Sequence, residues 1–545
     1  MSLFGVLNTG RTGIFVSQHG LATTGNNIAN VNTPGYSRQR LMQAARTTGG
    51  VQSLGVERLG DVFFAARLRE SNTRMGGLQT LSLNLQQLET ALGDTDGSGF
   101  SKATEQFFAA LQDLSVTPGG PAEREAVRSR GSQLVASLRG LGGQIREQRQ
   151  QLDAQLRQQV EQINTLARNL ADVNRRLDDA GPGADEARNA LLDQRDQIVN
   201  QLSNFLPVRT LEDAGGKLTV FVGDEVLVEG LATRALQLTP NPANDGLHDL
   251  AVIDAAGNVR AMRKAPTEGS LGALLRARDE FAGKALADVE RLAGRLIQSF
   301  NAIHRQGVGL DGGGGRDFFA GLDVTAAPDG RNRGGVGVAA TAISDADLLT
   351  FDDYEIRFTS ADAYEVVNTR TNAVVTSGPY VAGGTIQFDG MSVELNGPAG
   401  PQAGDVIHVD SYRGTSRRMA LAPEVAASLE AIAAGGTDAA GDNTQALLLA
   451  ALRDQLTMGS PPTQTFDGYF GAIRLQVALA TESSLGGVED EAVTQQQLVT
   501  LQQSVAGVSL DEEATNIIQY QRAFEASSRV IRIADELIET VLQIV

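Results

Sequence analysis

Apolar side chains recur at every seventh residue over the last part of the chain, at Leu510, Ile517, Phe524, Ile531, Ile538 and Val545. The first thirty residues do the same with Leu7, Ile14, Leu21 and Ile28. Such a repeat draws one stripe along a helix, and the stripe is stable only when another helix covers it. Both ends are therefore expected to be helices that pair with each other or with neighbouring subunits, because termini fray unless something ties them down. Gly, Ser and Thr are frequent over residues 7–27, which weakens an isolated helix and makes a partner necessary.

The first stripe runs into Asn26, Asn27, Asn30 and Asn32 and then Pro34-Gly35, the pair favoured at the centre of a type II turn, so the helix should stop near Asn30. Residues 37–60 read as extended or irregular. Helical spacing resumes over 62–92 and breaks over 94–99. The longest helical pattern covers 121–177, with Leu134, Leu138, Leu141, Ile145, Leu152, Leu156, Ile163, Leu170 and Leu177 stepping by three, four or seven. Unbroken, it would span roughly 80 Å. Ala180-Gly181-Pro182-Gly183 then supplies a reversal into a second helix over 185–205. Between 207 and 264 the period switches to two, as in Leu218 to Val222, with turns at Gly215-Gly216 and Gly223-Asp224. A helix returns over 270–303, a Gly-rich stretch at 307–315 closes it, and 354–412 alternates again. Helical spacing is then expected to hold to the C-terminus.

This order predicts an α+β multidomain fold: a long helical bundle or coiled-coil stalk formed by both chain ends, with inserted β-rich domains. The expected divisions are a terminal coiled-coil domain (1–36 and 505–545) and a helical stalk (37–205, 268–306 and 416–504). A small β-rich insertion (206–267) and an outer β domain (309–415) complete them. Roughly three or four domains also suit a chain of 545 residues.

A net charge of −19 argues against nucleic acid or anionic membrane as a partner, since both require a basic footprint. With no cysteine, thiol nucleophiles, the usual structural zinc sites and disulfides are excluded together. The first 25 residues lack the basic start, apolar run and cleavage site of a secretory signal, which predicts a cytoplasmic protein or export with the N-terminus intact.

Catalytic chemistry finds little material. His19, His248, His304 and His408 are isolated and read as surface or packing residues. The 307–315 stretch lacks the strand that a phosphate cradle requires, and Asp311 and Asp317 fail the spacing of a calcium loop. No cofactor or metal is expected. Of the paired carboxylates, Asp352-Asp353 has no evident use, whereas Asp511-Glu512-Glu513 follows Ser509. Ser509 with Glu512 three residues later is a capping box, which would start the terminal helix and satisfy its orphan amides. The asparagines read as turn-formers or packing residues.

The run from Gly25 to Tyr36, Gly25-Asn26-Asn27-Ile28-Ala29-Asn30-Val31-Asn32-Thr33-Pro34-Gly35-Tyr36, resembles the N-terminal signature of bacterial flagellar axial proteins, the rod, hook and hook-associated proteins. Gly507-Val508-Ser509-Leu510-Asp511-Glu512-Glu513 and Tyr520-Gln521-Arg522-Ala523-Phe524 resemble the closing helix of that family. Tyr36-Ser37-Arg38-Gln39 is similar to the hook-associated branch, as rod and hook proteins more often follow their Gly with Phe and Lys. The resemblance implies a non-enzymatic structural subunit of the extracellular flagellum, exported by the flagellar type III system and assembled as a ring joining hook to filament. It implies hook protein, a second junction protein and further copies of the chain as partners, with an export chaperone on the C-terminal helix. The heptad residues named above would form the assembly interface. Another axial subunit or a cytoplasmic coiled-coil scaffold is the alternative.

Overall fold

The computed structural model describes residues 3–544 except 94–98, 181–184, 214–215, 255–256, 263 and 398. The predicted break at 94–99 and reversal at 180–183 therefore fall largely outside the described residues, as do Gly215 of the predicted turn and Val545 of the C-terminal stripe.

Helix α1 (Leu3–Ala29) leads into a hairpin of β1 (Gln39–Ala45) and β2 (Val51–Arg58), so the stretch expected to be extended is an antiparallel pair. Helix α2 (Val62–Leu92) opens on Asp61, whose carboxylate accepts the Phe63 and Phe64 amides at 2.7 and 3.3 Å. Helix α3 (Phe100–Val116) has no counterpart among the predicted elements. Its apolar face, Phe100, Phe107, Phe108, Leu111 and Leu114, is fully buried. Helix α4 (Pro121–Asp179) begins with proline at its first turn, where no amide donor is needed. Its 59 residues make a rod roughly 90 Å long. Helix α5 (Asp185–Phe205) returns alongside it.

The predicted helix at 270–303 is present as α6 (Gly269–Leu275) and α7 (Gly283–His304), joined by one π-helical stretch, Arg276–Ala282. Short helices α8 (Thr415–Arg418), α9 (Pro423–Ala427) and α10 (Thr444–Ala451) follow the outer domain, and α11 (Phe466–Ala506) and α12 (Leu510–Ile544) close the chain. Helical spacing thus does not hold from 416 onward. Pro423, Gly435, Gly436, Gly441, Gly459 and Pro461 interrupt the stretch before α11, and Met419, Ile432 and Met458 plug the helical core from irregular backbone.

Among the described residues three hydrophobic cores follow one another. One joins α3, the first half of α4, α7, α10 and the start of α11 around Phe107, Phe300, Phe318 and Phe319, whose rings stand 4.7–5.8 Å apart. A second joins the far half of α4, α5 and α6 to two small antiparallel sheets built from residues 208–261. The third fills the outer β unit, where a five-stranded sheet and a three-stranded sheet contribute Tyr354, Ile356, Phe358, Val393, Leu395 and Ile407. Helix α11 packs along α2, while α12 packs on α1.

Candidate assembly interface

Helices α1 and α12 run antiparallel, and glycine sets how close they come. A Cβ added to Gly10 would lie 2.6 Å from Cγ1 of Ile531, one on Gly13 2.3 Å from Oγ of Ser527, and one on Gly20 2.5 Å from Cε1 of Tyr520. These glycines share heptad registers with buried small and polar residues of α1, Gly10 with Ser17 and Thr24, and Gly13 and Gly20 with Asn27. These are the residues whose poor helix propensity demanded a partner. Leu7, Ile14, Leu21 and Ile28 flank this face and are half-buried.

On α12 the stripe of Ile517, Phe524, Ile531 and Ile538 is also half-buried, and Tyr520, Ser527 and the fully buried Ala534 alternate with it at three- and four-residue steps. That is the a/d pattern of a two-helix seam. The C-terminal stripe therefore lies against the chain's own first helix, the first of the two pairings that the spacing allowed. Leu510, at the base of α12, is 53% exposed and stands apart from it. The apolar surface that remains open is a different set: Phe4 and Phe15 on α1, and Ile518, Ile533, Leu537, Val541 and Leu542 on α12, all at least half exposed.

The base of this pair is a polar junction. The Tyr36 amide donates to the Thr33 carbonyl at 3.2 Å, and Gly35 has φ +82°, so Pro34-Gly35 forms the type II turn expected. Asn27, almost fully buried, donates to the Gln39 carbonyl at 2.8 Å, and its side-chain oxygen accepts the Gln39 amide at 2.9 Å and the Tyr36 hydroxyl at 2.8 Å. Asn30 binds locally, to the Asn26 carbonyl and the Thr33 hydroxyl, while Asn26 and Asn32 are exposed. Burial, then the charges of Asp193 and Glu513, push the Tyr36 phenol up to about 12, so it stays a donor.

Arg38 then ties three elements together. Its Nε donates to Glu513 at 2.7 Å and its Nη1 to Glu512, its amide donates to the Ala506 carbonyl at 3.0 Å, and its carbonyl accepts the Leu59 amide at 2.8 Å. Helix α12 does begin directly after Ser509, whose carbonyl accepts the Glu513 amide at 3.0 Å. The Glu512 carboxylate, however, is engaged with Arg38, a partner that local cap geometry did not suggest.

The β1–β2 hairpin spans from the helical body to the terminal pair. Near its base the Val56 amide donates to Asp185 at 3.1 Å and Arg58 pairs with Asp193 and Asp196 at 2.9 and 2.6 Å, all on α5. At its tip the Val51 amide meets the Thr12 hydroxyl at 3.4 Å, on α1.

Elsewhere, candidate chemistry is absorbed into ion pairs. Asp352 binds Arg370, Asp353 binds Arg291, Asp311 binds Arg316 and Asp317 binds Arg305. His304 is fully buried, with Nδ1 2.8 Å from the Arg316 carbonyl and Nε2 2.9 Å from the Ala433 amide. At the π-helical stretch, fully buried Arg278 donates to Asp153 at 2.7 Å, and Asp153 also accepts the His248 amide at 2.9 Å. Burial alone would raise the Asp153 carboxyl, but the His248 hydrogen bonds and the Arg278 charge hold it below its usual value. A cavity of about 360 Å³ opens where the helical body meets both β units, and of its five lining arginines Arg146, Arg149 and Arg413 are paired with Glu290, Asp245 and Asp410.

Residues 85–319 match the model of the helical domain of flagellar hook-associated protein FlgK, residues 502–544 that of the flagellar basal body rod FlgEFG protein C-terminal segment, and residues 7–36 that of the flagella basal body rod protein. The chain is 28% identical to flagellar hook-associated protein 1 of Escherichia coli, over 99% of each chain. It is 29% identical to that of Salmonella typhimurium over 99% of each, and 27% identical to that of Bacillus subtilis over 99% of this chain and 98% of the relative. The fold is similar to the solved flagellar hook junction protein FlgK from Burkholderia pseudomallei, with a TM-score of 0.70 at 20% identity, covering 81% of this chain and all of that one.

Proposed function

The chain belongs to the hook-associated protein 1 family of flagellar proteins, and from that premise we propose that it is the structural subunit that joins hook to filament. The observation that carries the reading is the pairing of both chain ends into one antiparallel seam with a second apolar surface left exposed on it. Large apolar side chains left open together on a soluble protein mark places where another protein binds. The seam residues Leu7, Ile14, Leu21, Ile28, Ile517, Phe524, Ile531 and Ile538 act by holding the pair together. Contacts to neighbouring subunits fall to Phe4, Phe15, Ile518, Ile533, Leu537, Val541 and Leu542.

In this reading the protein works outside the cell by assembly and not by catalysis. Copies of the chain form a ring, hook protein lies on one side of it and a second junction protein on the other, and an export chaperone covers the C-terminal helix beforehand. A closed ring uses two different surfaces of each subunit, which suits a helix pair with two unlike apolar edges. Deletion of the gene tests the assignment. Cells should keep hooks, lose filaments and release flagellin into the medium; loss of the hook itself would make the protein a rod or hook subunit instead.

A further inference from the structure

The terminal pair meets the helical body through two short connections, residues 30–38 and the break between α11 and α12 at 507–509, where Gly507 is extended. Three unconstrained linker residues would let the pair swing, since nothing in an extended link fixes its direction. The side chain at the crossing is Arg38. It is 19% exposed, and Glu513, which it contacts, is 1% exposed. The same residue caps the end of α11 through its amide and the start of α12 through its guanidinium. The carboxylates of Glu512 and Glu513 also lie in the first turn of α12, where negative charge is favoured by the helix dipole.

We infer that Arg38 is a positioning residue for assembly: by clamping Ala506 to Glu512 and Glu513 it fixes the angle between the terminal helix pair and the helical body. The β1–β2 hairpin holds the α1 side of the pair from α5, and Arg38 holds the α12 side. A guanidinium suits the task because its planar fork reaches two carboxylates in fixed directions, whereas an ammonium meets one. This assignment rests on the proposed assembly role, but the angle is a property of the free monomer and is measured without it.

The chain has no cysteine, so spin labels go where they are placed. Labels at the exposed positions 496 on α11 and 525 on α12, read by pulsed electron spin resonance in the full-length monomer, report the angle directly. One narrow distance is expected in the parent, a broad distribution in Arg38→Ala, and partial recovery in Arg38→Lys. Glu512→Gln, at an exposed site that leaves the buried Glu513 intact, should broaden the distance in the same direction. Unchanged narrow distributions in both Arg38→Ala and Glu512→Gln would overturn the inference. If the monomer loses its fixed angle while the gene-deletion phenotype proves not to be that of a junction protein, the clamp stands and the assembly role falls.

Discussion

Gly20 lies so close to Tyr520 that a Cβ at position 20 would sit 2.5 to 2.6 Å from three atoms of the ring. Alanine is worth about 1 kcal/mol over glycine in a helix interior. Overpacking a closed contact costs about 1–3 kcal/mol. Because the obstructing atoms belong to a rigid ring and not to a flexible side-chain end, the second effect should win, and Gly20→Ala should loosen the pair. Gly25, also in α1, has nothing within 4 Å of an added Cβ, so Gly25→Ala is the matched control and should be neutral or stabilising. Amide hydrogen exchange over residues 513–534 checks this: faster exchange in the first variant and not in the second.

The buried pair of Arg278 and Asp153 makes a second expectation. Removing one partner of a buried pair leaves an uncompensated charge and costs about 3–5 kcal/mol. Arg278 also donates to Asp279 at 2.9 and 2.8 Å, so Asp153→Ala leaves its 1% exposed guanidinium with one carboxylate of two and releases the His248 amide, a loss below that limit. Urea unfolding should show that loss. The double variant Asp153→Leu with Arg278→Met, apolar at both positions, should recover much of it.

His304 makes stability depend on acidity. Burial first of all holds its pKa below the usual 6.5, since Nε2 already accepts an amide proton and charge there is desolvated. The unfolded chain binds a proton near 6.5 and the folded chain does not, so this contribution is full above that pH and is lost as pH falls below it. The slope for one group is at most about 1.4 kcal/mol per pH unit. Urea unfolding at a series of pH values below 6.5 should give a shallower decline for His304→Gln than for the parent.

Much of the helical framework was legible because its signals are local. The spacing at 62–92 and 185–205 marks α2 and α5 to the residue, and Pro121 marks the start of α4. The π-helical stretch at Arg276–Ala282 has no signature in the apolar spacing, because it is defined by which carbonyl each backbone amide reaches, which side-chain types do not record. Between 416 and α11 the helical expectation fails because buried Met419, Ile432 and Met458 come from irregular backbone, so their spacing carries no period. At the terminal pair the large apolar residues were visible, but the contact itself is made by Gly10, Gly13 and Gly20. A second heptad of small residues at 10, 17, 24 and 13, 20, 27 was the signal that would have found it. Arg38 stood within the family-like Tyr36-Ser37-Arg38-Gln39 run. Its pairing with Glu512 and Glu513 spans more than 470 residues of sequence and has no local signature.

The open apolar edge of α12 gives the most direct test of the assembly account. Ile533 and Leu537 are 55% and 51% exposed, so Ile533→Asp with Leu537→Asp removes little from the monomer's own seam. Phe524→Asp with Ile531→Asp strikes the seam itself and should unpair α1 from α12 as well as block assembly. The decisive measurement is electron microscopy of cells carrying the Ile533/Leu537 double variant, with the secreted protein shown to keep the parent's protection over α12. The account predicts hooks without filaments and the variant free in the medium. Filaments of normal number and length on those cells would contradict it.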